Sequence, residues 1–121
     1  MLGIGIDAVD IDRFRALLDR RPEAAARLFT DGERAYGARW NDPAPRLAAR
    51  FAAKEAVMKA LGVGIGAFAF RDVEVVSAAS GAPSLVLWGA AEARADGLGV
   101  AGWKLSLTHT DALAQAVAVA L

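Results

Sequence analysis

A stretch in the middle of the chain, residues 50–59, carries the side chains with the clearest capacity for chemistry. On a helix, Glu55 and Lys59 are four residues apart and share a face, and Phe51 lies one turn before Glu55 on that face. A carboxylate there would hold a magnesium ion, which usually takes one or two carboxylates together with phosphate and water. The lysine ammonium would meet a phosphate. The same spacing fits an exposed Glu-to-Lys pair worth about a few tenths of a kcal/mol, so both interpretations are open at this point.

A second carboxylate, Asp7, follows the apolar pattern of Ile4, Gly5 and Ile6 near the start of the chain. A carboxylate does not belong on the buried face of a strand unless it is paired. One interpretation is a helix cap or a solvent contact at the end of a strand. The other pairs Asp7 with Glu55 around one metal ion, and spacing along the chain does not decide between them.

The only histidine, His109, continues by alternation the face of Trp103, Leu105 and Leu107. A lone histidine at the end of such a strand is more often structural than catalytic. Thr110 follows it in a predicted turn.

Three glycines at 62, 64 and 66 resemble a phosphate-binding loop, but only superficially. They follow a predicted helix, whereas the dinucleotide fingerprint and the Walker loop both follow a strand and open a helix. The pattern is typical of a helix C-terminal cap and a flexible turn.

Nine of the eleven arginines lie at positions 13–50, among acidic residues. Such a mixture usually forms a solvated surface, and it also suits a docking face for an acidic partner. Arg13, Arg20 and Arg21 lie near one another around the first predicted helix.

Periodicity predicts the elements that position these residues. Alternation over residues 2–7 predicts a strand with one apolar face and, on the other face, two glycines followed by Asp7. A strand face without side chains lets another backbone or a ligand come close. The longest predicted helix runs from about residue 45 to 61 and ends at the glycines.

Shorter helices are predicted through residues 14–18, capped by Asp10 or Asp12, and after the capping box of Thr30 and Glu33. The large apolar residues of the last two predicted strands all have odd numbers. The remaining predictions are helices at 25–29 and 89–98 and strands at 72–77, 84–88, 103–108 and 113–119. The fold class is α+β, with one long helix and several shorter ones packed on a largely antiparallel sheet.

The composition indicates one globular domain over residues 1–121, with 55% hydrophobic residues and no net charge. Neutrality gives no general attraction to nucleic acid. The absence of cysteine excludes disulfides and thiolate metal sites and suits the cytoplasm. We expect no signal peptide, no membrane span and no membrane partner. A small alanine-rich chain this apolar is expected to hide apolar surface between subunits, which predicts a homo-oligomer.

In their order along the chain, these motifs resemble the acyl-carrier-protein synthase family. That family opens with a Gly-Ile-Asp strand and an arginine six residues after the aspartate, here Asp7 and Arg13. Its signature Arg-[Phe/Trp]-Ala-Ala-Lys-Glu-Ala-x-x-Lys-Ala stands intact at residues 50–60, and its closing Ser-[Leu/Ile]-[Ser/Thr]-His stands at 106–109. The central motif is highly specific and the two end motifs support it.

The resemblance implies the 4′-phosphopantetheinyl transferase fold and its reaction. The phosphopantetheine arm of coenzyme A moves to a serine of an apo acyl carrier protein, and adenosine 3′,5′-bisphosphate is released. It further implies a Mg²⁺ cofactor held by Asp7 and Glu55, with Lys59 on the phosphate near the scissile bond. Family members are typically trimers with sites between subunits.

By the same resemblance, coenzyme A would meet two sets of residues. Its phosphates would contact Arg50, Lys59, His109 and Thr110, and its adenine would lie by the loop of Gly62 and Gly64. The carrier protein would dock on Arg13, Arg20 and Arg21.

Two departures from the family pattern affect details of this assignment. Lys104 stands where relatives often have histidine, and Thr110 stands where some have aspartate. The base that takes the serine proton therefore stays open between Glu55 and a metal-bound water. The resemblance also leaves open which carrier is preferred, since fatty-acid, polyketide and peptide synthesis all use such partners.

Two alternative functions are a family member that binds without turnover and a magnesium-dependent phosphohydrolase. Intact Asp7, Glu55 and Lys59 argue against the first. The second would need an activated water and no carrier.

Overall fold

The structure is a computed structural model that describes all residues, 1–121. Five strands and five α-helices confirm the α+β class. The helices are α1 (Ile11–Arg20), α2 (Glu23–Leu28), α3 (Asp31–Gly37), α4 (Ala44–Ala60) and α5 (Gly89–Gly97). The strands are β1 (Gly3–Asp10), β2 (Val73–Ser77), β3 (Pro83–Leu87), β4 (Trp103–His109) and β5 (Leu113–Ala120), and a 3₁₀ turn spans Phe70–Asp72.

The strands form two antiparallel sheets rather than one. The larger sheet has the order β1-β5-β4, and β2 pairs with β3 alone. The long helix α4 lies across the larger sheet and also contacts β2. The helix α4 therefore lies between the larger sheet and the β2–β3 hairpin.

The close approach of α4 to β1 depends on the glycines of the first strand. A Cβ added at Gly3 or Gly5 would lie 2.0 or 1.9 Å from the carbonyl oxygen of Ala60 or Ala56. The predicted bare face of β1 therefore receives a helix backbone. On β5 the residues facing the helix are alanines, which keep the same short spacing: Ala114, Ala116, Ala118 and Ala120, all buried.

The odd-numbered apolar residues of β4 and β5 lie on opposite faces of the sheet. The register pairs odd with even positions, as in Leu105 with Ala118, so each inward residue of β4 faces an alanine. Val117 and Val119 consequently point outward beside Ile6 and Ile4 of β1. We call these four residues, with Leu2 and Leu121 at their margin, the outer sheet face. Ile4 and Ile6 are 58% and 60% exposed, so the apolar side of β1 is the uncovered one.

Several predicted helix caps are present. The Asp10 carboxylate accepts the Arg13 N–H at 2.9 Å and begins α1. Thr30 and Glu33 form the predicted capping box of α3, with bonds of 3.3 and 3.0 Å. None of the helices combines the length and apolar character required to cross a bilayer.

Candidate active site

Three side chains that sequence reasoning singled out come together where β1 meets α4. Asp7 lies on the face of β1 that carries Gly3 and Gly5, and so points toward the helix. The Lys59 Nζ lies 3.1 Å from Asp7 Oδ1 and donates to the Ile6 carbonyl at 2.8 Å. Lys59 therefore pairs across the fold rather than serving only as a neighbour of Glu55 on the helix surface.

Glu55 lies beside Asp7 and completes this cluster. Burial and the Asp7 carboxylate together raise the pKa of Glu55 to about 7, while Lys59 acts in the opposite direction. The second Asp7 oxygen, Oδ2, is buried without a hydrogen-bond partner. Two carboxylates thus meet beside one ammonium, and one oxygen is left for a further positive group.

A magnesium ion fits these donors. No group of three or more histidine, cysteine or acidic side chains comes together in the chain. Two carboxylate oxygens are nonetheless a usual protein contribution to a magnesium shell that phosphate and water complete. The unpartnered Asp7 Oδ2 is the observation that favours a cation here, because a buried acceptor without a partner costs free energy.

The raised pKa of Glu55 gives a prediction for the metal-free protein. An unfolded Glu55 releases its proton near 4.5 and the folded one near 7, so the folded state binds more protons between these values. The free energy of unfolding should therefore fall as pH rises across this window. Glu55→Gln should remove that contribution. Urea titrations with a chelator across this pH range would test it, and parallel profiles for the two proteins would contradict it.

The glycines after α4 form the predicted helix cap. Gly62 has φ +71°, its N–H donates to the Lys59 carbonyl, and the Val63 N–H donates to the Met58 carbonyl. This is a Schellman ending, which favours glycine at the left-handed position. Gly64 lines a cleft of about 110 Å³ beside Glu55 and Lys59, whereas Gly62 does not.

A second cleft, of about 160 Å³, lies on another side of α4. It is lined by Arg50 and His109, together with Tyr36, Ser77 and Arg46. We call it the arginine cleft. Arg46 was missed from the sequence, although it lies one turn before Arg50 on the same helix. Tyr36 and Ser77 were also missed. They belong to α3 and β2 and meet Arg50 only in the folded chain, so no local sequence pattern marked them as part of a site.

Arg50 is held tightly in that cleft. Its guanidinium stacks 3.8 Å from the Tyr36 ring centroid and donates to Ser77 Oγ at 2.8 Å and to the Val75 carbonyl. Burial lowers the pKa of Arg50. Thr110 does not line the cleft. Its hydroxyl oxygen accepts the Ala112 and Leu113 N–H groups at 3.2 and 3.1 Å and so shapes the β4–β5 turn.

The two clefts are separate in the chain. Arg50 and Glu55 are five positions apart on α4, so their directions differ by about 140°. The arginine cleft shares no lining residue with the cleft beside Glu55 and Lys59. Of the residues expected to meet coenzyme A, Lys59 and Gly64 therefore lie beside Glu55, whereas Arg50 and His109 lie in the other cleft.

A third, open cleft of about 360 Å³ connects Glu55 with α1. Arg13 and Arg20 line it with apolar residues, including Phe14 and Leu17. Arg21, the residue that ends α1, is not among the lining residues. Two arginines of the predicted basic face of α1 thus share a cleft with Glu55.

The chain is similar to proteins of one known family. Residues 3–117 match the family model described as the 4′-phosphopantetheinyl transferase superfamily. A holo-[acyl-carrier-protein] synthase of Frankia alni is 49% identical over 120 residues, covering 99% of this chain and 97% of the relative. One from Moorella thermoacetica is 44% identical over 119 residues, covering 98% and 93%.

Solved structures of the same family have a similar fold. The Neisseria meningitidis holo-[acyl-carrier-protein] synthase superposes with a TM-score of 0.90 at 33% identity, covering 100% of this chain and 98% of that one. The Helicobacter pylori holo-[acyl-carrier-protein] synthase in complex with coenzyme A has a TM-score of 0.86 at 30% identity, covering 98% and 99%.

Proposed function

The chain belongs to the 4′-phosphopantetheinyl transferase superfamily, and we infer that it transfers the 4′-phosphopantetheine group of coenzyme A to a serine of an apo acyl carrier protein. Adenosine 3′,5′-bisphosphate is the other product. The observation in the fold that carries this function is the cluster of Asp7, Glu55 and Lys59, with the buried Asp7 Oδ2 unpartnered.

The reaction is a phosphoryl transfer, which depends mostly on positioning and on neutralising charge. The serine oxygen forms a bond to the phosphorus that carries the pantetheine arm, and the bond to the bisphosphate oxygen breaks. A magnesium ion on Asp7 and Glu55 would supply charge neutralisation at the pyrophosphate. We propose that the Lys59 ammonium, 3.1 Å from Asp7 Oδ1, meets the leaving oxygen. Glu55, whose pKa burial raises, is the chain's own candidate to accept the serine proton.

Intact mass of the carrier tests the function. With coenzyme A and magnesium, an apo carrier should gain one phosphopantetheine arm. Binding without a mass change, across several carriers, would favour a non-catalytic binder. Release of phosphate from a nucleotide without any carrier would favour a phosphohydrolase.

We propose a homotrimer with sites between subunits, and two features support it. The outer sheet face leaves Ile4 and Ile6 more than half exposed, a pattern typical of a surface that a second copy covers. The separate clefts would form one site if the arginine cleft of one protomer faced the carboxylate cluster of the next. Trimers close by rotation through such unlike surfaces.

Ile4→Asp should dissociate the oligomer. A carboxylate in an apolar interface loses its hydration without gaining a partner. Sedimentation equilibrium should give about three times the chain mass of 12.6 kDa for the wild type and the monomer mass for the variant. Leu98→Asp, at an exposed apolar residue directly after α5 that lines none of the clefts, is the matched control and should leave the trimer intact. A monomeric wild type would contradict the prediction.

We propose that the carrier docks on the basic face of α1, with Arg13 and Arg20 in the cleft that leads to Glu55 and with the neighbouring Arg21. Arg20→Glu should raise the KM for the carrier by about tenfold, because like charges now face each other. The affinity for adenosine 3′,5′-bisphosphate should stay unchanged in calorimetry. Arg27→Glu on α2 is the control, and equal effects of the two variants would overturn this docking face. We also propose that the protein acts in the cytoplasm and that its carrier serves fatty acid biosynthesis.

A further inference from the structure

The free edge of β2 is bonded by charged side chains instead of a strand. In an antiparallel pair, successive residues bond alternately toward the partner strand and away from it. The Trp88 N–H donates to the Asp72 carbonyl, which sets this alternation and turns the backbone groups of Val73 and Val75 away from β3. No other strand pairs with that edge.

Three side chains occupy the edge in sequence along the strand. Lys54 donates to the Val73 carbonyl, Glu33 accepts the Val75 N–H at 2.9 Å, and Arg50 donates to the Val75 carbonyl. Two of these residues come from α4 and one from α3. The position of β2 against α4 therefore depends on hydrogen bonds from side chains that are, in order along the strand, positive, negative and positive.

Glu33 and Lys54 are the buried part of this arrangement. Both side chains are fully buried, and Lys54 Nζ lies 2.7 Å from Glu33 Oε1. The ammonium also donates to the Phe70 and Val73 carbonyls, so its three donors are used. The Glu33 Oε1 accepts the Thr30 N–H as well. With no donor to spare and no exposure, Lys54 does not touch a substrate.

A buried ion pair is weak evidence for stability, because apolar residues of similar volume often serve as well. In some proteins such a pair instead fixes one position of the elements that it joins. Here the joined element is β2, which contributes Val75 and Ser77 to the arginine cleft and holds the Arg50 guanidinium by two bonds.

We propose that Glu33 and Lys54 form a positioning pair for the nucleotide-binding half of the site. The pair fixes β2 at the depth at which Arg50 and Ser77 face His109 across the arginine cleft. Loss of the pair lets β2 shift against α4 and moves Arg50 with it. The inference rests on the proposed function, since it takes coenzyme A as the ligand of this cleft.

The double variant Lys54→Met/Glu33→Gln tests the pair. It removes both charges together and avoids a buried carboxylate without a partner. Calorimetry should show that the affinity for adenosine 3′,5′-bisphosphate falls by about tenfold or more, because small misplacements of binding groups have large effects. The KM for coenzyme A should rise similarly, while kcat at saturating coenzyme A and the KM for the carrier stay near wild type.

Leu28→Ala, a buried residue of α2 that contributes no group to the cluster, is the control for lowered stability alone. Glu33→Gln is the second variant, for use if the double variant does not fold. If the NH₂ group of the glutamine faces the Val75 N–H, it cannot accept that hydrogen bond, so the same strand edge is displaced. Bisphosphate affinity equal to that of the Leu28→Ala control would overturn the inference. A wild type that binds neither the bisphosphate nor coenzyme A would instead overturn the proposed function, and the inference with it.

Discussion

Glu55→Gln is expected to lower kcat/KM for carrier modification by about three orders of magnitude while the protein stays folded. Glutamine keeps the size of the side chain and removes one of the two carboxylates of the cluster, leaving Asp7 alone. Both the metal site and the candidate proton acceptor are lost in this single change. Circular dichroism and urea unfolding should show a native fold, because Glu55 is not part of the buried core.

A second readout separates loss of metal from other defects. Magnesium should raise the melting temperature of the wild type and not that of Glu55→Gln, because a ligand stabilises only the state that binds it. Glu92→Gln, an exposed acid on α5, is the matched control and should behave as the wild type in both measurements. Near-normal turnover by Glu55→Gln would remove this residue from the site.

Mixing two inactive variants should restore activity if the site lies between subunits. Glu55→Gln lacks a metal ligand, and Arg50→Met lacks the central cation of the arginine cleft. In a randomly mixed trimer, a site is intact when one protomer supplies Glu55 and its neighbour supplies Arg50. That combination occurs at about one quarter of the sites, so about a quarter of the wild-type rate is expected.

The measurement uses proteins unfolded together, refolded and assayed by carrier mass. The control mixes Glu55→Gln with the double variant Glu55→Gln/Arg50→Met, in which no site has both residues. No recovery in the first mixture, from trimers that contain both chains, would show that one protomer holds the complete site. Such a result would leave the chemistry of Glu55 intact and overturn only the division of the site.

The elements of the fold were largely predictable because their signals are local. The helix α4 ends at the glycines, the capping box of Thr30 and Glu33 forms, and Gly3 and Gly5 admit a backbone. Each of these depends on steric and hydrogen-bonding preferences within a few residues. The arrangement of strands in two sheets was not predicted, because pairing joins segments that are far apart along the chain.

The candidate site was predictable in its residue types and less so in its geometry. The signature at residues 50–60 and its two flanking motifs indicated the family and its chemistry. Lys54 lies inside that signature, yet its spacing did not indicate whether the side chain is buried in an ion pair or exposed to solvent. Thr110 was predicted to meet the nucleotide, and in the fold its hydroxyl serves the β4–β5 turn.

The sequence by itself determined the two carboxylates, the lysine and the helix that carries two of them, since residue type and helical spacing are local properties. Only the tertiary structure decided that Asp7 meets Glu55 and Lys59, and that Arg50 faces away from them. It also decided that the glycine side of β1 is buried and the isoleucine side is open. Periodicity distinguishes the two faces of an element, but which face is covered depends on the elements that pack against it.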